Sequence, residues 1–507
     1  MRWRTPLIAA VLFASTAFAR GGLIVLQVEA AEAGTGRYAP LDFAGSSTAL
    51  GAGGFAGKRF FALSGTASSG ADRGVHAADV AAAFYGPDSP GQSAVSDVYV
   101  ISSSDFLSRV LLPTRRGRNL PPAKLPGRAT VVNASFAGST RSRTLDGRLL
   151  RGADILVSRD AATLVAGAVT SPTGAFSDAS LIWGARNVIA VRGDAVESVF
   201  NPSMSGVGRA HADLWDSGTA SIATARTSSA AAAIIVDAQL RNRPELARPP
   251  AVRAALLASA DRQTKTVSGQ AWVPEIPSGL NTTLGAGKLD ASAALALSRS
   301  VGTRYARVTG WGIARGGTLR RYLANAQTSA DVAVAPKSIG VISVGSRGIL
   351  ATVFRLTETA RGAVAALTWD TATRNGAVGD FRLELRTVTL TPKGDAVLSA
   401  SALAFSDAPS DNVRLLSSDA SFDPGLYAWV VRNETSTSAR PSLAWTFDTL
   451  PLIVPPIPSI PSTPRDLPPP GADVGGSPPT TIPEPSAIIA LLVPAALLRR
   501  RTRPAHT

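Results

Sequence analysis

Short apolar runs alternate with longer mixed stretches through residues 20–300 of this 507-residue chain. Apolar runs of this kind, rich in β-branched residues, are typical of buried strands. Several of the stretches between them are long enough to form a helix that crosses from one strand to the next. This alternation predicts an α/β fold with a parallel sheet flanked by helices. The predicted strands are 22–29, 97–101, 129–135, 162–166 and 187–191.

The pattern changes over residues 301–450, where short runs show partial alternation of apolar and polar positions and are separated by turn residues. Alternation with a period of two is the pattern of a half-buried strand. We therefore predict an all-β sandwich, similar to a jelly roll, after the α/β part. No catalytic constellation occurs in it, so we expect an accessory role. Its predicted strands include 364–369, 381–386, 413–416 and 425–431.

A turn of glycine, threonine and serine at 217–221 precedes a run of small and apolar residues that reaches Ile235. This pattern predicts a tight loop that opens a buried helix, with Ser221 at the helix start. Unpaired backbone N–H groups and the positive end of the helix dipole favour negative charge there, which suits a nucleophile that forms an oxyanion. The alternative is that Ser221 only caps the helix.

An acid and a histidine are the other candidates for chemistry. Glu29 ends the first predicted strand, and functional groups gather at the carboxyl ends of parallel strands. His76 lies in the segment 74–86, and the chain has only two other histidines, His211 and His506. The alternatives are a surface glutamate at a strand end and a structural histidine.

The composition excludes several classes of function. The formal net charge is +15, but only 17% of the residues are charged and the arginines are scattered, so we expect no binding to nucleic acid. The chain has no cysteine, which excludes disulfides, thiolate metal sites and cysteine nucleophiles. We expect no cofactor, and the sequence leaves calcium binding, substrate specificity and oligomeric state open.

The segments around Glu29, His76 and Ser221 resemble the subtilisin-like serine proteases, peptidase families S8 and S53. Ala223-Thr224 and Ala230-Ala231 match the Ala-Thr and Ala-Ala that follow the family serine, and 131–135 and 187–191 are similar to two family strands. The resemblance covers about residues 20–300. It implies an endopeptidase acting on polypeptides, with Ser221 as nucleophile, His76 as general base and Glu29, in place of the family aspartate, orienting the histidine. The order acid, histidine, serine is the subtilisin order.

Departures from the family pattern leave two functions open. The family asparagine that completes the oxyanion hole is missing from 165–171, where Thr170 or Ser171 are the candidate substitutes. Losing such a donor costs about 2.7–4 kcal/mol of transition-state stabilisation, a value measured on a subtilisin. Ala225 replaces the family proline, and no pro-domain lies between residue 19 and the first strand. The first hypothesis is a weakened endopeptidase, and the alternative is a catalytically silent binding module of the cell envelope or extracellular matrix.

Both ends of the sequence indicate export. Residues 1–19 have the basic start, apolar run and small-residue cleavage site of a signal peptide. A proline-rich linker at 451–481 precedes a tail, 482–507, that resembles the PEP-CTERM sorting signal. The resemblance implies a Gram-negative-type envelope, an exosortase-type partner and a tail placed transiently in the inner membrane. A plain C-terminal membrane anchor is the alternative. The predicted order is signal peptide, peptidase domain (20–300), β-sandwich domain (301–450), linker and sorting signal.

Overall fold

A computed structural model describes residues 22–32, 35–44, 46–63, 73–115, 118–136, 143–168, 182–194, 212–300, 306–307, 318–319, 337–371, 379–392, 395–407, 411–436 and 439–449. The longer helices are α1 (Val75–Tyr85), α2 (Arg143–Asp160), α3 (Ala220–Leu240), α4 (Pro249–Ala258) and α5 (Ala291–Ser298). Short helical turns lie at Gly53–Phe55, Ser103–Asp105, Phe106–Leu111, Pro126–Arg128 and Pro244–Ala247. The strands up to residue 216 are β1 (Leu23–Glu29), β2 (Thr48–Leu50), β3 (Arg59–Ala62), β4 (Val95–Ser102), β5 (Thr114–Arg115), β6 (Arg118–Asn119), β7 (Val131–Ala134), β8 (Thr163–Gly167), β9 (Ile189–Gly193) and β10 (Leu214–Asp216).

The main sheet has the strand order β10-β9-β8-β7-β1-β4-β3-β2 within the described residues. Neighbouring strands pair in parallel, except that β2 at the edge is antiparallel to β3. Helix α1 lies between β3 and β4 in the chain, and α2 lies between β7 and β8. This arrangement confirms the predicted α/β fold class. The central strand β1 lies between β4 and β7, so its carboxyl end is at the middle of one sheet edge.

Both faces of the sheet are covered, which is why its strands have few polar positions. Successive residues of a strand point to opposite faces. Val25 belongs to the core that also contains Ala223 and Ala231 of α3, whereas Leu26 belongs to the core that contains Leu156 of α2. The sheet is therefore the middle layer of three.

Helix α3 is built from small residues. It packs against α1 and against β7, β8 and β9, and most of its side chains are buried. Buried threonines in it satisfy their hydroxyls within the helix: Thr224 donates to the Ala220 carbonyl at 2.6 Å and Thr227 to the Ala223 carbonyl at 2.9 Å. A Cβ at Gly167 would lie 3.3 Å from Thr224 Oγ1, so the helix approaches β8 closely.

The described residues between 306 and 449 form a β-sandwich, as predicted. The strands are β11 (Ala306–Arg307), β12 (Thr318–Leu319), β13 (Lys337–Val341), β14 (Ile349–Leu356), β15 (Ala360–Thr368), β16 (Phe381–Leu390), β17 (Ala396–Leu398), β18 (Ala404–Asp407), β19 (Val413–Phe422), β20 (Gly425–Asn433) and β21 (Ser442–Thr449). One sheet has the order β11-β14-β20-β16-β17-β12 with β18 beside β16, and the other has the order β13-β21-β15-β19. An aromatic core joins the two sheets: Phe354 packs against Trp429 of its own sheet and against Trp445 and Phe447 of the other.

The sandwich packs directly on the α/β part. Helix α4 lies against β15 and β21, and all ten of its residues are buried. Thr368 Oγ1 donates to the Pro250 carbonyl at 2.5 Å, and the Leu415 amide donates to the Ser278 carbonyl at 2.7 Å. Ile339 and Leu415 belong to the same apolar cluster as α4. One hydrophobic cluster therefore contains residues of both the α/β part and the sandwich. The domain boundary at residue 300 stays a prediction.

A buried polar group lies at this junction. Arg253 of α4 is 3% exposed and pairs with Asp213 at 2.5 Å between Nη2 and Oδ1. Its Nη1 donates to the Arg186 carbonyl at 2.7 Å and to Asn412 Oδ1 of the sandwich at 3.1 Å. The guanidinium therefore holds together three segments that are far apart in the sequence.

None of the helices among the described residues is long and apolar enough to cross a membrane. The predicted signal peptide, the proline-rich linker and the sorting tail lie outside these residues. The signal peptide, linker and sorting tail stay predictions from the sequence.

Candidate active site

Glu29 and His76 meet at the carboxyl end of β1. Glu29 is the last residue of the strand and is completely buried. His76 is the second residue of α1, whose N-cap is Gly74, and 47% of its side chain is exposed. The Nδ1 atom of His76 lies 3.0 Å from Oε2 of Glu29, an ion-pair contact, and no group of the described chain donates a well-aligned hydrogen bond to that buried oxygen. The structure thus brings together two of the three predicted site residues.

The pKa values of Glu29 and His76 are both raised, for different reasons. Burial raises the pKa of the Glu29 carboxyl above its ordinary value, although the contact with His76 opposes the rise. The close contact with Glu29 raises the pKa of His76, and the charges of Asp79 and Glu32 act in the same direction. Since the carboxylate lies beside Nδ1, the neutral imidazole is stabilised with its proton there, which leaves Nε2 unprotonated. A histidine in this state can accept a proton at Nε2.

Ser221 lies in the first turn of α3. The helix begins at Ala220 and its N-cap is Thr219, whose Oγ1 accepts from the Ile222 amide at 3.3 Å. The cap is therefore Thr219, and Ser221 is not needed for it. As the second helical residue, Ser221 has no carbonyl one turn earlier in the helix to accept its N–H. That N–H is available to a negatively charged oxygen.

The turn before Ser221 is fixed by its neighbours. Gly218 has a φ of +94°, and its amide donates to Asp194 Oδ1 at 2.7 Å. A Cβ at Gly193, the end of β9, would lie 2.3 Å from the Gly218 carbonyl oxygen. Only glycine allows the strand and the turn to approach this closely. The start of α3 is thus held against the same sheet edge that carries Glu29.

Ser135, directly after β7, connects Ser221 to β1. Its Oγ donates to the Ser221 carbonyl at 3.2 Å, and its amide donates to the carbonyl of Val28 at 3.3 Å. Ser135 therefore lies between the first turn of α3 and the end of β1, at the C-terminal edge of the sheet. Within the part of the chain that the structure describes, no hydrogen bond joins Ser221 Oγ to the His76 ring. Such bonds are often long in unliganded enzymes and shorten with substrate.

The predicted oxyanion-hole segment is described only at its start. Ala168 is buried, and its amide donates to the Val191 carbonyl at 2.7 Å, so this N–H is not free for an oxyanion. Thr170 and Ser171 lie outside the described residues, as do His211 and His506. The described chain holds no group of three or more side chains suited to a metal ion.

Comparisons with known proteins find similar solved structures but no matching family. No family model matches the chain, and no curated protein matches it. Among solved structures, it is similar to the patellamide maturation protease PatA at 18% identity, with a TM-score of 0.33, over 55% of this chain and 97% of that one. The prenylagaramide maturation protease PagA is similar at 15% identity and a TM-score of 0.31, over 54% of this chain and 93% of that one. At these TM-scores the likeness carries no weight, and the fold class rests on the strand order and helix positions described above.

Sequence reasoning missed three polar residues beside the site. Gln27 and Asn133 are completely buried in β1 and β7, and Ser135 follows β7. Asn133 Nδ2 donates to Ser135 Oγ at 2.8 Å, which orients the hydroxyl that contacts Ser221. Their signal in the sequence is a polar residue in an otherwise apolar strand, because such a residue is buried only when its hydrogen bonds are satisfied.

Proposed function

We propose that this protein is an exported subtilisin-like serine endopeptidase. The observation that carries the proposal is the contact between the buried Glu29 and His76 Nδ1 at a sheet edge that also holds the first turn of α3. Ser221 Oγ attacks the carbonyl carbon of a peptide bond, and His76 Nε2 takes the hydroxyl proton. His76 then gives this proton to the leaving amine, and water hydrolyses the acyl-enzyme. Glu29 keeps the imidazole in the required tautomer and stabilises the imidazolium.

The oxyanion that forms in this reaction needs donors at about 2.7–3.1 Å. The Ser221 N–H supplies one, and a hydroxyl of Thr170 or Ser171 is the proposed second. A short hydroxyl replaces an asparagine amide poorly, so we expect weaker activity than in a typical subtilase. A catalytically silent binding module is the alternative, and the next experiment separates the two.

A fluorophosphonate probe tests the nucleophile directly. In the proposed enzyme Ser221 Oγ attacks phosphorus, fluoride leaves and His76 takes the proton, so the purified chain becomes covalently labelled. Ser221→Ala is expected to abolish labelling and peptide hydrolysis. Ser229→Ala in the same helix removes a buried hydroxyl that accepts from the Gly91 amide, and it is expected to keep both activities. Absence of labelling in folded wild-type protein would favour the binding module.

The pH profile follows from the raised pKa of His76. A raised pKa means that the ring keeps its second proton to higher pH, whereas a general base must be neutral. Hydrolysis is therefore expected to fall as the pH drops through a value above the ordinary histidine pKa of about 6.5. Measuring kcat/KM between about pH 5 and 9 checks this. An acid limb well below the ordinary value would show that Glu29 does not stabilise the charged ring.

The cellular location is a further part of the proposal. The signal-like start at 1–19 and the Pro-Glu-Pro tail at 482–507 support export to a Gram-negative-type cell envelope. There the tail would contact the inner membrane and an exosortase-type enzyme would process it. The proposed substrate is a polypeptide.

A further inference from the structure

Gln27 is a buried amide in the middle of the apolar strand β1. It is completely buried, and it lies two residues before Glu29, on the same face of the strand. Its side-chain hydrogen bonds in the described chain go to Glu29 and to helix α1. Its Nε2 donates to Glu29 Oε1 at 3.1 Å and to the Ala77 carbonyl at 2.9 Å, and its Oε1 accepts from the Tyr85 hydroxyl at 2.5 Å.

These three contacts connect the acid to the helix that carries the histidine. Ala77 directly follows His76 in the first turn of α1, and Tyr85 is the last residue of that helix. The Gln27 amide therefore joins the carboxylate of Glu29 to both ends of α1. It occupies Oε1 and leaves Oε2 as the oxygen that faces His76 Nδ1.

We propose that Gln27 is a positioning residue for the Glu29–His76 pair, an inference that rests on the proposed function. By fixing the carboxylate and the first turn of α1 together, it sets the distance and angle between Oε2 and Nδ1. An apolar side chain would fill the same space in a strand that is buried on both faces. It would leave Glu29 Oε1 without a donor, however, and would no longer fix the orientation of the carboxylate.

The titration of His76 reports on this geometry. The charged groups that face its ring or backbone are Glu29 from β1, Glu32 from the loop after β1 and Asp79 from α1 itself. Of these, Gln27 contacts only Glu29. Loosening Glu29 therefore lowers the pKa of His76, while the contributions of the other two carboxylates stay in place.

The experiment is an NMR titration of the His76 ring in the full-length chain, with His211 and His506 as internal references. Gln27→Met keeps the size of the side chain and removes its amide. We expect the His76 midpoint to fall by roughly 0.5–1 pH unit, a part of the roughly 1–3 units that a neighbouring opposite charge contributes. Tyr85→Phe removes the hydrogen bond to Gln27 Oε1 but keeps both hydrogen bonds of Gln27 Nε2, so we expect a smaller fall of the His76 midpoint. It also serves as the second test if Gln27→Met does not fold.

Ser229→Ala is the matched control, because it removes a buried hydrogen bond between α3 and Gly91 without contact to either member of the pair. It is expected to leave the midpoint unchanged. An unchanged midpoint in folded Gln27→Met or Tyr85→Phe protein overturns the proposal, whatever the hydrolytic activity. A lowered midpoint in a chain that hydrolyses no peptide supports the positioning of His76 and contradicts the proposed function instead. In an active enzyme, Gln27→Met lowers kcat more than it changes KM.

Discussion

Replacing Glu29 with glutamine is expected to lower kcat about 10⁴-fold with little change in KM, the loss seen when a triad acid becomes its amide. The amide carries no charge to stabilise the imidazolium. It can also present its NH₂ group to Nδ1, which favours the tautomer with the proton on Nε2 and blocks proton transfer from Ser221. Steady-state hydrolysis of a peptide substrate measures both constants.

The same substitution is not expected to destabilise the fold at neutral pH. Glu29 is completely buried and its pKa is raised by that burial, so the ionised form is the costly one and a neutral amide of the same shape removes the cost. Thermal unfolding therefore separates lost chemistry from lost structure. Glu32→Gln is the control, because in the described chain Glu32 accepts a hydrogen bond from the His76 backbone amide at 3.4 Å and none from the ring. This substitution is expected to cost less than about tenfold in kcat, the scale of one weak charge effect. Equal losses from both substitutions would show that Glu29 has no special role.

Replacing Arg253 with methionine is expected to destabilise the α/β part and the sandwich together, by about 3–5 kcal/mol. The change leaves the Asp213 carboxylate buried without its partner, and it removes the donor to Asn412 in the sandwich. Methionine suits a helix and nearly fills the space, so the loss reflects charge and hydrogen bonding more than packing. Chemical denaturation followed by tryptophan fluorescence measures the free energy of unfolding.

Arg241→Met provides the comparison for this substitution. Arg241 is half-exposed and pairs with Asp237 one helical turn away at 3.0 Å. Exposed pairs of this kind contribute only about 0.2–1 kcal/mol, so the expected loss is several times smaller. Two separate unfolding transitions in Arg253→Met protein, with the α/β transition unshifted, would contradict a shared core.

The strands and the acid–histidine pair could be predicted because their signals are local. The run 22–29 became β1, Leu23–Glu29, and the turn at 217–221 became the start of α3. The alternative, that Ser221 only caps the helix, is wrong, because Thr219 is the cap and its Oγ1 accepts from the Ile222 amide. The roles proposed for Glu29, His76 and Ser221 stay predictions.

The remaining features depend on contacts between distant residues, which a local pattern does not contain. Asn187 was assigned to a strand, but it precedes β9, and its Oδ1 accepts from the Thr371 amide of the sandwich at 2.9 Å. Gln27 was counted as one position of an apolar run, and its partners Ala77 and Tyr85 are far away in the sequence. A polar residue in a buried strand indicates that partners exist without saying which ones they are.

The small residues of α3 limit how the proposed nucleophile can be moved. An alanine side chain has no rotamers to rearrange, so a shift at Ala231 or Ala232 passes into the backbone of the helix instead of being absorbed locally. The other end of that backbone carries Ser221. Adding methylenes to a packed helix face typically shifts the backbone and costs about 1–3 kcal/mol. We therefore expect a methyl group added at Ala231 or Ala232, more than two helical turns away, to displace Ser221 and so change the hydrolysis rate of the proposed enzyme.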